Sequence, residues 1–236
     1  MSLNGHNNSN VTKFAGDGFI NHDVTEDVTS PAVYYVVASM LTFTCFVGTF
    51  FNGVAIFVFA KNKHLRTPTN SFVMSLCACD LLMCLIGMPI PAVYAWGKTT
   101  IDNHAICVFD GFTVYFLGLS SMYLLAAISV DRYVVIVRPM ASTMVTQRVA
   151  SLAIGVCFLM GLFWTMMPLL GWNHYVPEGI RVACSISWES GDSAAASYVF
   201  AIFVFCLLLP MTIMVFCYAN IYRARGLSGP DVGIGR

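Results

Sequence analysis

Five long apolar runs, interrupted by isolated polar residues, make up most of the chain, at about residues 32–60, 71–95, 106–137, 149–170 and 195–222. Each meets or exceeds the roughly 20 residues that a helix needs to cross a bilayer core at about 1.5 Å per residue. The runs are apolar on every side rather than alternating with a period of two, which excludes a transmembrane barrel. Helices that satisfy their own backbone are then the remaining way to span. The pattern predicts an all-α membrane protein, with a polar leader over 1–31, a membrane domain over 32–225 and a short Gly-rich, non-membrane tail over 226–236.

With 58% hydrophobic and 10% charged residues among 236, the chain is too apolar for a water-soluble domain of its length. The formal net charge of zero gives no footing for a nucleic-acid partner. The distribution of charge carries more information. Lys61, Lys63 and Arg66 follow the first run, Arg132, Arg138 and Arg148 lie between the third and fourth, and Arg223 and Arg225 follow the fifth. The opposite connections carry Asp102, Glu178, Glu189 and Asp192 against Lys98 and Arg181. The positive-inside rule puts the basic side in the cytoplasm and the N-terminus outside, and lipid around the helices. No secretory signal pattern stands in the first thirty residues, so the first run is expected to serve as the targeting signal to the plasma membrane. The leader, rich in Asn, Asp, Gly and Thr, is expected to be disordered, with glycosylation acceptors at Asn7 and Asn10.

Seven of nine cysteines fall inside apolar runs, where a thiol behaves as a small hydrophobe. Cys107 and Cys184 remain on the oxidising side, and a disulfide between them would tie the loop before the fifth run across the top of the bundle. Asn52, Asp80 and Arg132 are polar positions in hydrocarbon, and each has to face another helix or a water-filled cavity. Interhelical bonding alone and a signalling role both fit Asn52 and Asp80. The third run begins Cys107-Val108-Phe109-Asp110 and ends Asp131-Arg132-Tyr133, with an ionisable group near each membrane face. That is a functional-site pattern, with a merely solvated helix boundary as its alternative.

Taken in order, Asn52, Leu65-Arg66-Thr67-Pro68-Thr69-Asn70, Asp80, Cys107, Asp131-Arg132-Tyr133, and Pro210 with Tyr218 resemble the rhodopsin class of G-protein-coupled receptors over about residues 30–225. Within the class, the Leu65-to-Asn70 turn and Gly171-Trp172-Asn173-His174-Tyr175-Val176-Pro177-Glu178-Gly179 resemble an opsin, the latter its retinal lid. Phe163-Trp164, Pro168-Leu169-Leu170-Gly171-Trp172 and Cys184-Ser185-Ile186-Ser187-Trp188 look most like the peropsin, retinochrome and retinal-photoisomerase branch. The resemblance implies a rhodopsin-like bundle with five of seven helices present, light sensing through retinal held as a protonated Schiff base, a heterotrimeric G protein as partner, and a receptor dimer. It implies Glu178 and Asp110 as counterion candidates, because a buried cation needs a nearby anion. It further implies a retinal pocket walled by Gly111, Tyr115, Gly118, Leu119, Tyr175 and Trp188. At the inner face it implies a G-protein switch of Asp131, Arg132, Tyr133 and Tyr218, with Arg132 held by Asp131 and Tyr218 swinging toward it on activation.

An opsin carries its retinal-binding lysine in the seventh helix. The lysines here are Lys13, Lys61, Lys63 and Lys98, none at mid-membrane. The expectation is an opsin truncated in its third inner loop, which binds no retinal covalently and is retained in the endoplasmic reticulum. Two alternatives stand beside it: a non-opsin receptor for a small ligand, and a five-span product that acts only by associating with full-length receptor. No metal-ligand cluster, nucleophile elbow or phosphate loop is present, so an enzyme is not expected, with photoisomerase activity of the parent as the one enzymatic reading.

Overall fold

The computed structural model describes residues 30–65, 67–142, 145–189 and 191–227. Asn7 and Asn10, with most of the leader, and the tail from 228 onward lie outside the described residues. Among the described residues, five helices are long and apolar enough to cross a membrane: α1 (Pro31–Lys61), α2 (Pro68–Gly97), α3 (His104–Val137), α4 (Gln147–Leu170) and α5 (Ser193–Arg225). Each begins one to three residues before the apolar run it contains, because the capping residues are polar and hydropathy does not register them. Ser30, Thr67, Asn103, Thr146 and Asp192 each accept a backbone N–H of the first turn. Pro31 and Pro68 sit where the missing N–H costs nothing.

Two of the helices widen into π turns, Met83–Gly87 in α2 and Phe203–Leu208 in α5. Prolines follow each, Pro89 and Pro91 in α2 and Pro210 in α5. A proline donates no N–H and its ring crowds the carbonyl four residues back, and one extra residue per turn relieves both problems. In α5 the Tyr123 hydroxyl of α3 donates to the Phe205 carbonyl at 3.2 Å, inside the widened turn.

Helix α3 is the hub, packed against α2, α4 and α5, while α1 lies on α2. Toward the end of the bundle bearing Arg132, Phe72, Cys79, Leu117, Leu124, Ala150 and Cys157 form one buried cluster. Toward the opposite end, Trp164, Tyr198, Ile202 and Cys206 join residues of the loop between α4 and α5 in a second. Gly161 lets α4 close on α3, since a Cβ there would overlap the Ser120 hydroxyl. Phe43, Phe46, Phe50 and Phe57 of α1 and Val215 of α5 stay exposed, as residues turned to lipid do.

The loop between α4 and α5 is an antiparallel hairpin, β1 (Tyr175–Glu178) and β2 (Ala183–Ile186), with Tyr175 opposite Ile186 and Glu178 opposite Ala183. Its turn uses left-handed backbone at Gly179 (φ 56°) and at Arg181 (φ 61°). The Arg181 carbonyl accepts Ile101 N–H at 2.8 Å, so the turn rests on the α2–α3 connection.

Candidate ligand site beneath the hairpin

A disulfide joins Cys107 in α3 to Cys184 in β2, with Cα atoms 5.3 Å apart. This is the pairing expected from the two cysteines that remained on the oxidising side, Cys107 at the very start of its apolar run and Cys184 in the loop. One helical turn deeper, Asp110 is 1% exposed. Its Oδ2 accepts the Cys184 backbone N–H at 2.9 Å, and its Oδ1 is buried without a hydrogen-bond donor. A buried carboxylate with an open oxygen is costly, and it invites a cation or a proton.

Glu178 is exposed at the far end of β1. It lines a groove of about 320 Å³ together with Ser185, Ser187, Trp188 and Glu189. Trp188 is half-exposed, and its indole N–H donates to the Ser185 hydroxyl at 3.2 Å. The same indole borders a second groove of about 360 Å³ walled by Val199, Phe200, Ile202, Phe203 and Leu207 of α5. An acidic, polar groove and a hydrocarbon groove therefore share one wall.

Tyr175 forms the inner surface of the hairpin. Its ring lies against Gly111, its hydroxyl donates to the Thr165 carbonyl at 3.0 Å, and its ring meets Tyr115 edge-on at 6.2 Å. Burial, and then the neighbouring Tyr115 phenol, push the Tyr175 hydroxyl well above the ordinary phenol range. Leu119 packs on the adjoining aromatic cluster. Beside Gly118 there is open space, since apart from its chain neighbours and its own helix backbone no atoms come within 4 Å of where a Cβ would be. Gly111, Tyr115 and Tyr175 are thus brought together, with Leu119 beside them and Trp188 at the groove mouth.

At the inner end of α3 the arrangement differs from expectation. Asp131 is buried, and its Oδ2 accepts the Thr69 hydroxyl of α2 at 2.8 Å, while Oδ1 has no donor. Among the described residues no ion pair joins Asp131 to Arg132. Successive side chains on a helix point in different directions, so a sequence neighbour is poorly placed to hold the carboxylate and a residue of the next helix does so instead. The Tyr133 ring lies 5.9 Å from Phe216 of α5, and Tyr218 is 54% exposed. Asn52 donates to Gly48 of its own helix at 3.0 Å, and Asp80 is half-buried in α2. The side-chain bond of Asn52 is therefore intrahelical.

Thr69, Tyr123, Thr165 and Asn173 were not among the expected site residues, although Thr69 and Asn173 fall within the two motifs quoted above. Each is a single polar residue whose partner is remote in the chain or is a backbone carbonyl, and only Pro210 pointed indirectly to one of them, Tyr123.

A bundle of five apolar helices organised on a central third helix, disulfide-tied to a hairpin over a buried acid, defines a multi-pass membrane protein. The chain belongs to the rhodopsin family of seven-transmembrane receptors: the family described as "7 transmembrane receptor (rhodopsin family)" matches residues 51–225. It is 32% identical over 189 residues to pinopsin of Columba livia, covering 80% of this chain and 54% of that one. It is 36% identical over 192 residues to rhodopsin of Enteroctopus dofleini, covering 80% of this chain and 42% of the relative. The crystal structure of squid rhodopsin superimposes with a TM-score of 0.77 at 32% identity, over 84% of this chain and 54% of that one. The chain thus spans about half or less of the length of these opsins.

Proposed function

We propose that this chain forms the first five helices of a light-sensing opsin, with retinal beneath the hairpin and a heterotrimeric G protein at the inner ends of α3 and α5. The observation that carries the reading is the pair of grooves sharing Trp188, one bearing Glu178 and the other mostly apolar. An elongated hydrocarbon ligand with a cationic end fits that division. Retinal, when bound in a complete opsin, supplies the light absorption and the cis–trans isomerisation.

The residues of this chain do the rest. Tyr175, Tyr115 and Gly111 form a close-packed inner wall under the hairpin, which excludes water from the site. Glu178 is the main counterion, since its carboxylate borders the groove. Asp110 is the second, because one of its oxygens is engaged by the Cys184 N–H. Either anion favours the charged state of a nearby cation. Arg132, with Tyr133 and Tyr218, faces the G protein, while Thr69 holds Asp131. The reading is of a receptor in the plasma membrane with its N-terminus outside, and the disulfide on the hairpin side supports that orientation.

The test is complementation. The chain is co-expressed with the sixth and seventh helices of squid rhodopsin and supplied with cis-retinal. A visible absorption band is expected, and Glu178→Gln should shift it toward the near ultraviolet more than Asp110→Asn does. An assembled complex that takes up retinal without a visible band refutes the proposal.

A further inference from the structure

Asn173 sits in the connection between α4 and β1, and it is 4% exposed. A primary amide offers two N–H donors and a carbonyl with two lone pairs, and here all four are used. Its Nδ2 donates to the Ser187 carbonyl at 3.2 Å and to the Ala195 carbonyl at 3.3 Å. Its Oδ1 accepts the His174 N–H at 2.6 Å and the Ser187 N–H at 3.0 Å. One side chain therefore grips both open ends of the hairpin, His174 ahead of β1 and Ser187 after β2, and also the first turn of α5. By bonds, the hairpin is otherwise fastened to α3 by the disulfide and Asp110, to α4 by the Tyr175 hydroxyl, and to the α2–α3 connection through Arg181, while Tyr175 and Ile186 pack with Tyr198 and Ile202 deeper along α5. Near Asn173, Trp172 donates to Ser197 at 2.9 Å and closes on Tyr198 at 5.5 Å. Of these two neighbours of α5, only Asn173 also bonds the strand ends directly.

From this we infer that Asn173 is a positioning residue that couples the hairpin to the outer end of α5, so that movement of one is transmitted to the other. The amide is suited to this because its two halves face different bodies. The acceptor serves the hairpin alone, while one donor reaches α5. Removing the donors while keeping the acceptor should cut the link and leave the hairpin closed. In the receptor, this rests on reading the hairpin as the lid of the ligand site, since occupancy beneath it would then be felt at α5. The coupling itself does not depend on any ligand.

The experiment is hydrogen exchange on the full chain in lipid nanodiscs, followed in residues 193–197 at the start of α5 and at His174 and Ser187. Asn173→Asp keeps both acceptor bonds and loses both donor bonds, whereas Asn173→Leu loses all four. The hairpin is released in two independent ways, by reducing Cys107–Cys184 and by tryptic cleavage after the exposed Arg181. In the parent, either release should speed exchange at 193–197 by about tenfold, the scale of losing one buried hydrogen bond. In Asn173→Asp, His174 and Ser187 stay protected before release, and neither release changes exchange at 193–197 further. Asn173→Leu should expose the His174 amide as well, while Ser187 N–H keeps its second acceptor, the His174 carbonyl at 3.0 Å. A role in stability alone would make the two perturbations multiply, with the same release factor in parent and variant. That outcome, or a parent in which neither release reaches α5, overturns the inference without touching the proposed retinal function. Failure of the complementation assay would equally leave this result standing.

Discussion

Gly111→Ala is the sharpest probe of the hairpin packing, because two opposing effects of known size meet at one atom. A Cβ at position 111 would lie 2.5 Å from Cδ1 of Tyr175 and 3.2 Å from two more ring atoms. The ring has little freedom to retreat. Tyr175 is 5% exposed, Tyr115 stands edge-on against it, and its hydroxyl is bonded to Thr165. Alanine is the better helix former by about 1 kcal/mol, which favours the variant. Overpacking a filled site costs about 1–3 kcal/mol, and breaking the buried Tyr175–Thr165 bond adds about 1–3 more. The clash should win, for a net loss of about 2–3 kcal/mol. With Tyr175→Ala already in place the obstacle is gone, and the same Gly111→Ala change should become stabilising by up to about 1 kcal/mol. Thermal denaturation of the parent, the two single variants and the double variant gives the coupling between the sites. If Gly111→Ala alone is as stable as the parent, or its effect does not change sign when Tyr175 is removed, the packing argument is wrong.

Other consequences can be checked separately. Thr69→Val should lower stability by about 1–3 kcal/mol, since Asp131 would then have neither oxygen satisfied, and Thr69→Ser should restore it; thermal denaturation in micelles reads both. The Tyr175 hydroxyl must keep its proton to donate to Thr165, and burial raises its pKa above that of the unfolded phenol. The stability it contributes is therefore full below about pH 10 and declines as pH rises through the folded value, and Tyr175→Phe should remove that alkaline dependence from the rate of cleavage at Arg181. The 236-residue chain, expressed alone and treated with retinal and borohydride, should give no retinyl adduct by mass spectrometry, because Lys61, Lys63 and Lys98 lie at the membrane edges and Lys13 in the leader. An adduct at any of the four would refute that placement.

The helices were legible because a spanning helix is a one-dimensional object: its length and apolarity are local properties of the chain. The disulfide was legible by elimination, since the bilayer hides every other cysteine. The hairpin was not, because residues 175–186 lack a clean alternation, and their pairing is imposed by the helix ends and by the bond to α3. Proline positions hinted at irregular helices, yet the π turn in α5 also involves Tyr123, which lies 82 residues away from the carbonyl it binds. Asp131 is the instructive failure. Its sequence neighbour suggested an ion pair, but its donor is Thr69, 62 residues earlier, because partners on helices are chosen by facing direction and not by adjacency. Once the true partners are known, the two ends of α3 turn out alike. Asp110 and Asp131 are each buried, each has one oxygen bonded by a neighbouring element and each has one oxygen open. They stand 21 residues apart, about 32 Å along the helix and close to the thickness of the hydrocarbon core. A single continuous helix thus carries an unfinished carboxylate toward each face of the membrane, one beneath the hairpin and the other beside the surface bearing Arg132.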